Sequence, residues 1–432
     1  MKQFPKDFFW GAATSAHQVE GNNVNNWSQW ERENAGRLAK EAKDKWQDWQ
    51  KEKFPEMFNP ENYISGRACD HYNRYEEDFD LAQSSGHNAH RFSIEWSRIE
   101  PEEGKFNEKE IEHYRKVILA LRKRNIEPFA TLWHWTNPLW LEEKGGCESK
   151  KFPFFFSRYA QYVVKNLGES VKFWITLNEP TSVIAASYCI GNWPPQKKNL
   201  IVAWKLYGNF ARAHIEAYKI IRLISKDARV GFANALHSFE PYRKNSWLDK
   251  LSVAVGLYFV NKRMLNLTKG YNDFLTVQYY FHNRFKFPRK IRLGDKPVND
   301  LNWEIYPEGL YHVLKWLKEY NLPIYVTENG LADADEKRAD FIKNHLQWIK
   351  KAIDEGADVR GYFYWSLMDN FEWDKGFWPR FGLVEIDYQT LERKPRKSFY
   401  AYEEIIKNNG LITNVIPSAR PPARQEAEES KS

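Results

Sequence analysis

Eight short apolar, β-branched or aromatic runs punctuate the chain: Phe8–Ala13, Ala89–Trp96, Pro128–His134, Val171–Leu177, Val230–Ala235, Phe274–Tyr280, Ile324–Thr327 and Tyr362–Leu367. Between them lie stretches of 3.6-residue periodicity, at Glu108–Arg124, Phe156–Leu167, Ile201–Ile224, Pro307–Tyr320 and Ala339–Glu355. Regular alternation of strand and helix argues for a parallel sheet, because parallel neighbours need a crossover between them. Eight such units can close into one (β/α)8 TIM barrel or split into two doubly wound halves. No Gly-rich phosphate loop follows any run and no linker interrupts the middle of the chain, so the α/β class with a single closed barrel is expected.

A barrel of this kind needs ~250 residues. The chain has 432, so long loops and extra helices are expected on the C-terminal face of the strands. One insertion stands out at residues 31–61, dense in charge, with Trp46 and Trp49 three apart in an Ala/Lys/Glu-rich helical pattern. It reads as a solvated helix resting on its Trp side, or as a wall facing the substrate. The barrel domain is expected to span residues 1–410. Residues 411–432 read as a tail, disordered from about residue 418, where Arg420, Pro421 and Pro422 lead into an acidic, small-residue end without periodicity.

Trp, Tyr and Phe make up 16% of the residues, which excludes disorder for the bulk of the chain. Mean hydropathy is −0.71, and no apolar run reaches the ~20 residues of a membrane span, so no membrane partner is expected. The net charge of +7 is spread over a chain with 28% charged residues and no basic block, and no nucleic-acid partner is expected either. Cys69, Cys147 and Cys189 are far apart, odd in number and in no metal-ligand spacing. They read as reduced thiols in a cytoplasmic protein. Near the N-terminus, Phe8–Ala13 is too short for the apolar stretch of a secretory leader and is read as a buried strand.

The fourth run ends Thr176-Leu177-Asn178-Glu179-Pro180 and the seventh ends Thr327-Glu328-Asn329-Gly330. In a barrel the C-terminal tips of strands four and seven face each other across the mouth, so two acids 149 positions apart become neighbours. Paired carboxylates are what glycosidic cleavage uses: one stays protonated to donate to the departing oxygen, and the other is ionised to attack or to activate water. Further groups sit at other tips: His90-Arg91-Phe92-Ser93, Trp133-His134-Trp135, Tyr279-Tyr280, and Trp365 ahead of Asp369-Asn370-Phe371-Glu372-Trp373. A buried Arg91 needs an anionic partner, and the two Glu side chains are the candidates. Indole and polar groups sharing one rim suit a sugar, whose C–H faces stack while its hydroxyls hydrogen-bond.

With these residues the sequence closely resembles glycoside hydrolase family 1, the retaining β-glycosidases. The match runs from about Phe4 to Lys407, through Phe9-Trp10-Gly11-Ala12-Ala13-Thr14-Ser15-Ala16, Gln18-Val19-Glu20-Gly21 and Arg91-Phe92-Ser93-Ile94-Glu95-Trp96-Ser97-Arg98. It continues through Thr131-Leu132-Trp133-His134-Trp135, both Glu motifs, Trp365 to Trp373 and Arg380-Phe381-Gly382-Leu383. The resemblance implies a double displacement with Glu328 as nucleophile and Glu179 as acid/base, their carboxyls ~5–5.5 Å apart. It implies that Arg91 and Tyr280 hold Glu328 ionised by lowering its pKa, while Glu179 stays protonated. Gln18, His134, Asn178, Glu372 and Trp373 would hydrogen-bond the non-reducing sugar, Trp365 would be its stacking floor, and Asn178 would serve the 2-hydroxyl.

A carboxylate at Glu372, where family members acting on 6-phosphorylated sugars place a Ser and a Lys, implies unphosphorylated glycosides. The presence of Glu179, where thioglucosidases carry Gln, implies O-glycosides. Two departures stand out. Gln278 replaces the usual Asn near the 2-hydroxyl, and Thr136-Asn137 replaces an Asp after His134-Trp135. Trp193, in Gly191-Asn192-Trp193-Pro194-Pro195, is a candidate platform on the aglycone side. The expectation is a β-glucosidase with broad β-D-glycosidase activity, removing terminal glucosyl and also galactosyl or fucosyl residues from small-molecule β-glycosides and short oligosaccharides, with no cofactor and no metal. The alternative is a transglycosylase using the same site, and the oligomeric state is left open.

Overall fold

The computed structural model describes residues 2–411, and the expected tail lies outside the described residues apart from Leu411. Lys2–Gln3 pairs antiparallel with Gly410–Leu411, which brings the two ends of the described chain together. All eight expected runs form strands of one parallel sheet: β1 Phe9–Ala13, β2 Ala89–Ser93, β3 Glu127–Trp133, β4 Phe173–Asn178, β5 Arg229–Ala233, β6 Leu275–Gln278, β7 Ile324–Gly330 and β8 Val359–Trp365. The strand order is β5-β4-β3-β2-β1-β8-β7-β6, a TIM barrel rather than two half-sheets. Between β5 and β6 the regular ladder gives way to a single bridge, Ala235 to Gln278. There the Thr276 hydroxyl stands in for missing rungs, donating to Phe232 O at 2.7 Å and accepting from Asn234 N–H at 3.0 Å.

The main helices are α1 Asn26–Lys45, α2 His71–Ser84, α3 Glu108–Lys123, α4 Phe152–Leu167, α5 Leu200–Ile224, α6 Pro307–Leu317, α7 Arg338–Asp354 and α8 Lys397–Lys407. Helix α3 shows why these segments are helical. Asn107 caps its first turn through Lys109 N–H, acids open it and Arg122 and Lys123 close it in line with the helix dipole. Ile111, Tyr114, Val117, Ile118 and Leu121 form the buried stripe.

Near the N-terminal ends of the strands, Phe9, Phe129, Phe173, Phe274 and Tyr325 fill the barrel floor, with Phe129 and Phe173 stacked at 4.2 Å and 7°. Gly231 and Gly361 make room for them. A Cβ would fall 2.9 Å from the Phe274 ring at the first and 2.9 Å from Phe9 Cβ at the second. With its lower half packed solid, the barrel is open to chemistry only at its upper rim.

The insertion departs from a single helix. α1 stops at Lys45, Trp46 is extended, and a new short helix, Asp48–Lys53, starts behind a reciprocal Gln47–Gln50 cap. That cap competes with helix continuation. Trp46 packs edge-on against Trp378 at 5.0 Å, whereas Trp49 stays 40% exposed, so the two Trp do not share a buried face.

Candidate active site

Five of the strand tips supply polar side chains to one cluster. Arg91 on β2 is fully buried and pairs with Glu328 Oε1. Its guanidinium also donates to Asn178 Oδ1 at 2.5 Å and to Thr131 Oγ1 at 3.1 Å. Gln278, at the end of β6, donates to both Asn178 Oδ1 (2.9 Å) and Glu328 Oε1. Tyr280 donates its hydroxyl to Glu328 Oε2 at 2.9 Å. Glu328 therefore accepts from three side chains, one of them cationic. The longer Gln278 side chain spans β4 and β7 at once.

Glu179 sits where the chain turns from β4 into the short helix Pro180–Val183. Its φ of 40° is left-handed, a conformation costing roughly 1–3 kcal/mol for a residue with a side chain. Pro180 then opens the short helix, its fixed φ suiting the first helical position. Among the described residues only Ser182 donates to its carboxylate, Oγ to Oε2 at 2.8 Å.

These surroundings separate the two acids. Burial raises Glu328 and outweighs the Arg91 charge and the hydrogen bonds from Arg91 and Tyr280, so its pKa lies above the ordinary carboxylate value. This corrects the expected net depression: a guanidinium partner lowers the group, but removal from water raises it more. Glu179 is pushed up to about 8, first by burial and then by the Glu328 charge, with Ser182 and Arg91 opposing. Having three donors, one of them the Arg91 cation, Glu328 ionises first, and its charge keeps the proton on Glu179.

The remaining candidates form the wall beside this pair. His134 follows β3, shares a hydrogen bond with Asn178 Nδ2 at 3.0 Å, and stands well below the usual imidazole value through burial and the nearby Arg91. His134 Nδ1 and Gln278 Oε1 are buried without a hydrogen-bond partner among the described residues. Trp365 closes β8 and lies nearly parallel to the His134 ring at 6.1 Å. Glu372 is raised to about 7 by burial, against the Lys375 charge. Gln18 ties the β1 loop to the β8 loop through Asn370, Phe371 O and, at 3.4 Å, Glu372 Oε2. Trp373 is buried against Trp27, Trp135 and His17. Trp193 is 9% exposed, packs on Trp135 at 4.6 Å and gives its indole N–H to Asp374.

Thr131 and Ser182 were not singled out from the sequence as site groups. Thr131 could have been found from its place on the strand next to Arg91, two positions before Trp133. Ser182 carries no comparable signal, because its reach to Glu179 depends on the left-handed turn. Among the described residues no group of three or more His, Cys, Asp or Glu could hold a metal ion, and no helix is long and apolar enough to cross a membrane.

A closed barrel with a charge-partnered carboxylate and a proton-retaining one at opposite strand tips defines a barrel glycosidase. The glycosyl hydrolase family 1 model matches residues 1–269 and 267–411, and the chain belongs to that family. It is 33% identical to the 1,4-beta-D-glucan glucohydrolase of Thermotoga neapolitana, over 95% of this chain and 100% of the relative. It is 32% identical to a 6-phospho-beta-galactosidase of Staphylococcus aureus, over 95% and 99%. Among solved structures, the family 1 β-glucosidase of Thermotoga maritima in complex with isofagomine lactam aligns with a TM-score of 0.85 at 33% identity, covering 95% of this chain and 100% of that one.

Proposed function

We propose that the protein is a retaining β-glycosidase that releases terminal non-reducing β-D-glucosyl residues from small β-glycosides and short oligosaccharides, with Glu328 as nucleophile and Glu179 as acid/base. The observation that carries this reading is the unequal partnering of the two acids. Glu328 is held by Arg91, Gln278 and Tyr280, while Glu179 has only a serine hydroxyl and a pKa near 8.

In the first step a Glu328 oxygen bonds to the anomeric carbon as the bond to the aglycone oxygen breaks, and the Glu179 proton passes to that oxygen. Glu328 is now a neutral ester, so the repulsion that raised Glu179 disappears and Glu179 is a carboxylate able to act as base. In the second step Glu179 takes a proton from water as the water oxygen bonds to the anomeric carbon and the ester bond breaks. Two displacements retain the configuration. The hydrolase names of the relatives support water as the acceptor rather than a second sugar.

The β8 loop supports an unphosphorylated sugar. Glu372 feels the Glu328 charge, and Lys45 and Lys375 both pair with Asp374. A phosphate dianion placed at Glu372 would face that carboxyl, with both of these ammonium groups already engaged. A cytoplasmic setting is consistent with Cys69, Cys147 and Cys189, all unpaired. The test is a pair of variants: Glu328→Gln should abolish turnover of aryl β-glucosides, and Glu179→Ala should regain it with azide on substrates with activated leaving groups. Normal turnover by the Glu328 variant rejects the assignment.

A further inference from the structure

Trp373 has a backbone φ of 52°, left-handed for a bulky residue, and such a conformation persists only where its surroundings hold it. One of the surfaces against it is the ring of His17, 5.4 Å away and within 18° of parallel. Both nitrogens of that ring are engaged. Glu31 Oε1 lies 2.6 Å from Nε2, and Asn25 Nδ2 lies 3.1 Å from Nδ1. Asn25 Oδ1 is occupied by Ser28 N–H in the cap of α1, so its amide must face His17 as donor. Nδ1 is then the acceptor, and the ring proton sits on Nε2 toward Glu31. Glu31 is itself anchored by Ser65 N–H and Oγ at 2.9 and 2.7 Å. All of these groups are buried.

From this geometry we infer that His17, fixed by Asn25 and Glu31, is a positioning residue for Trp373: it holds the indole where it meets the hydroxyls of the non-reducing sugar. The inference rests on the glycosidase reading and adds what fixes the orientation of that contact. α1 thereby reaches the site without touching the sugar, because its cap and its Glu31 set the angle of a plate under Trp373. A loosened contact costs more in the transition state than in the ground state, since alignment there is tighter.

The experiment compares kcat/KM for aryl β-glucoside with that for its four monodeoxy analogues, in the wild type and in His17→Ala. Below the melting temperature, His17→Ala should lower kcat/KM for the parent glucoside by about tenfold or more, with kcat falling as well as KM rising. At least one parent-to-deoxy ratio should shrink by about threefold or more, because the hydroxyl read by Trp373 no longer counts. His17→Phe keeps a plate without its anchors and should give ratios between the two; it serves if the Ala variant does not fold. Wild-type ratios throughout, in variants that fold, overturn the inference and leave the glycosidase reading intact. A wild type that hydrolyses none of these glucosides overturns both.

Discussion

The Arg91 guanidinium donates to Asn178 Oδ1 at 2.5 Å while it pairs with Glu328, so a single buried cation joins the residue beside Glu179 to the opposite acid. Its fork geometry matters, because Nη1 serves one strand tip, Nη2 another and Nε a third, Thr131 on β3. A lysine offers a point charge and cannot span three acceptors in fixed directions.

Arg91→Lys should therefore lower kcat by about a hundredfold or more even though the charge is kept, since both the orientation of Glu328 and the Asn178 contact are lost. Steady-state kinetics on an aryl β-glucoside, with a melting curve to confirm folding, measure this. A loss below threefold counts against a positioning role for the fork.

The proton on Glu179 sets the alkaline limb. Its pKa is raised to about 8, so the donor is present below that pH and lost as the pH rises through it. The kcat/KM profile should fall about tenfold per pH unit above ~8. In Glu179→Ala, assayed on a substrate whose leaving group needs no proton, that limb should vanish.

Asp369 is a fully buried carboxylate on the loop after β8. It accepts from Arg396, Arg380 and the N–H of Gly382. Burial alone would raise it, but the Arg396 and Arg380 charges prevail and its pKa lies below the ordinary value. The sign follows: its stabilisation is present above the unfolded carboxylate's pKa and is lost as the pH falls through the lower, folded value. Asp369→Asn should deprive the half-buried Arg380 and Arg396 of their shared carboxylate and cost about 1–3 kcal/mol, read from denaturant unfolding at pH 7.

Phe129→Ala should separate floor from rim. The ring touches Phe9, Phe173, Tyr325 and Phe363, and no group that hydrogen-bonds either carboxylate is among these contacts. A loss of about 3–5 kcal/mol in unfolding free energy is expected, with kcat at 25 °C within about threefold of the wild type. A collapse of kcat in the folded variant would mean that the floor transmits strain to the rim.

The strands were legible because a barrel strand buried on both faces is a continuous apolar run, and Ile324–Thr327 needed only extension into Glu328–Gly330. The helix break at Trp46 was not, because a local Gln47–Gln50 cap overrode an Ala/Lys/Glu-rich pattern that reads as helix throughout. At the site, residue types at strand tips brought Arg91, Glu179 and Glu328 together before any coordinates. The net direction of the Glu328 shift was out of reach, because it depends on how completely water is removed. So was the commitment of Lys45 to Asp374, a pairing across 329 positions that no local pattern encodes.

The seam between β5 and β6 also has a dynamic consequence. Where neighbouring staves share runs of paired residues, this join has one bridge at its upper end, a threonine hydroxyl in its middle and the Asp273–Val230 contact at its foot, so local opening in its upper half breaks few backbone bonds. Deuterium should enter the amides of Asn234 and Gln278 before those of the β2–β3 join, and breathing of the ring would reach the rim first beside Gln278, the side chain that bridges to Glu328.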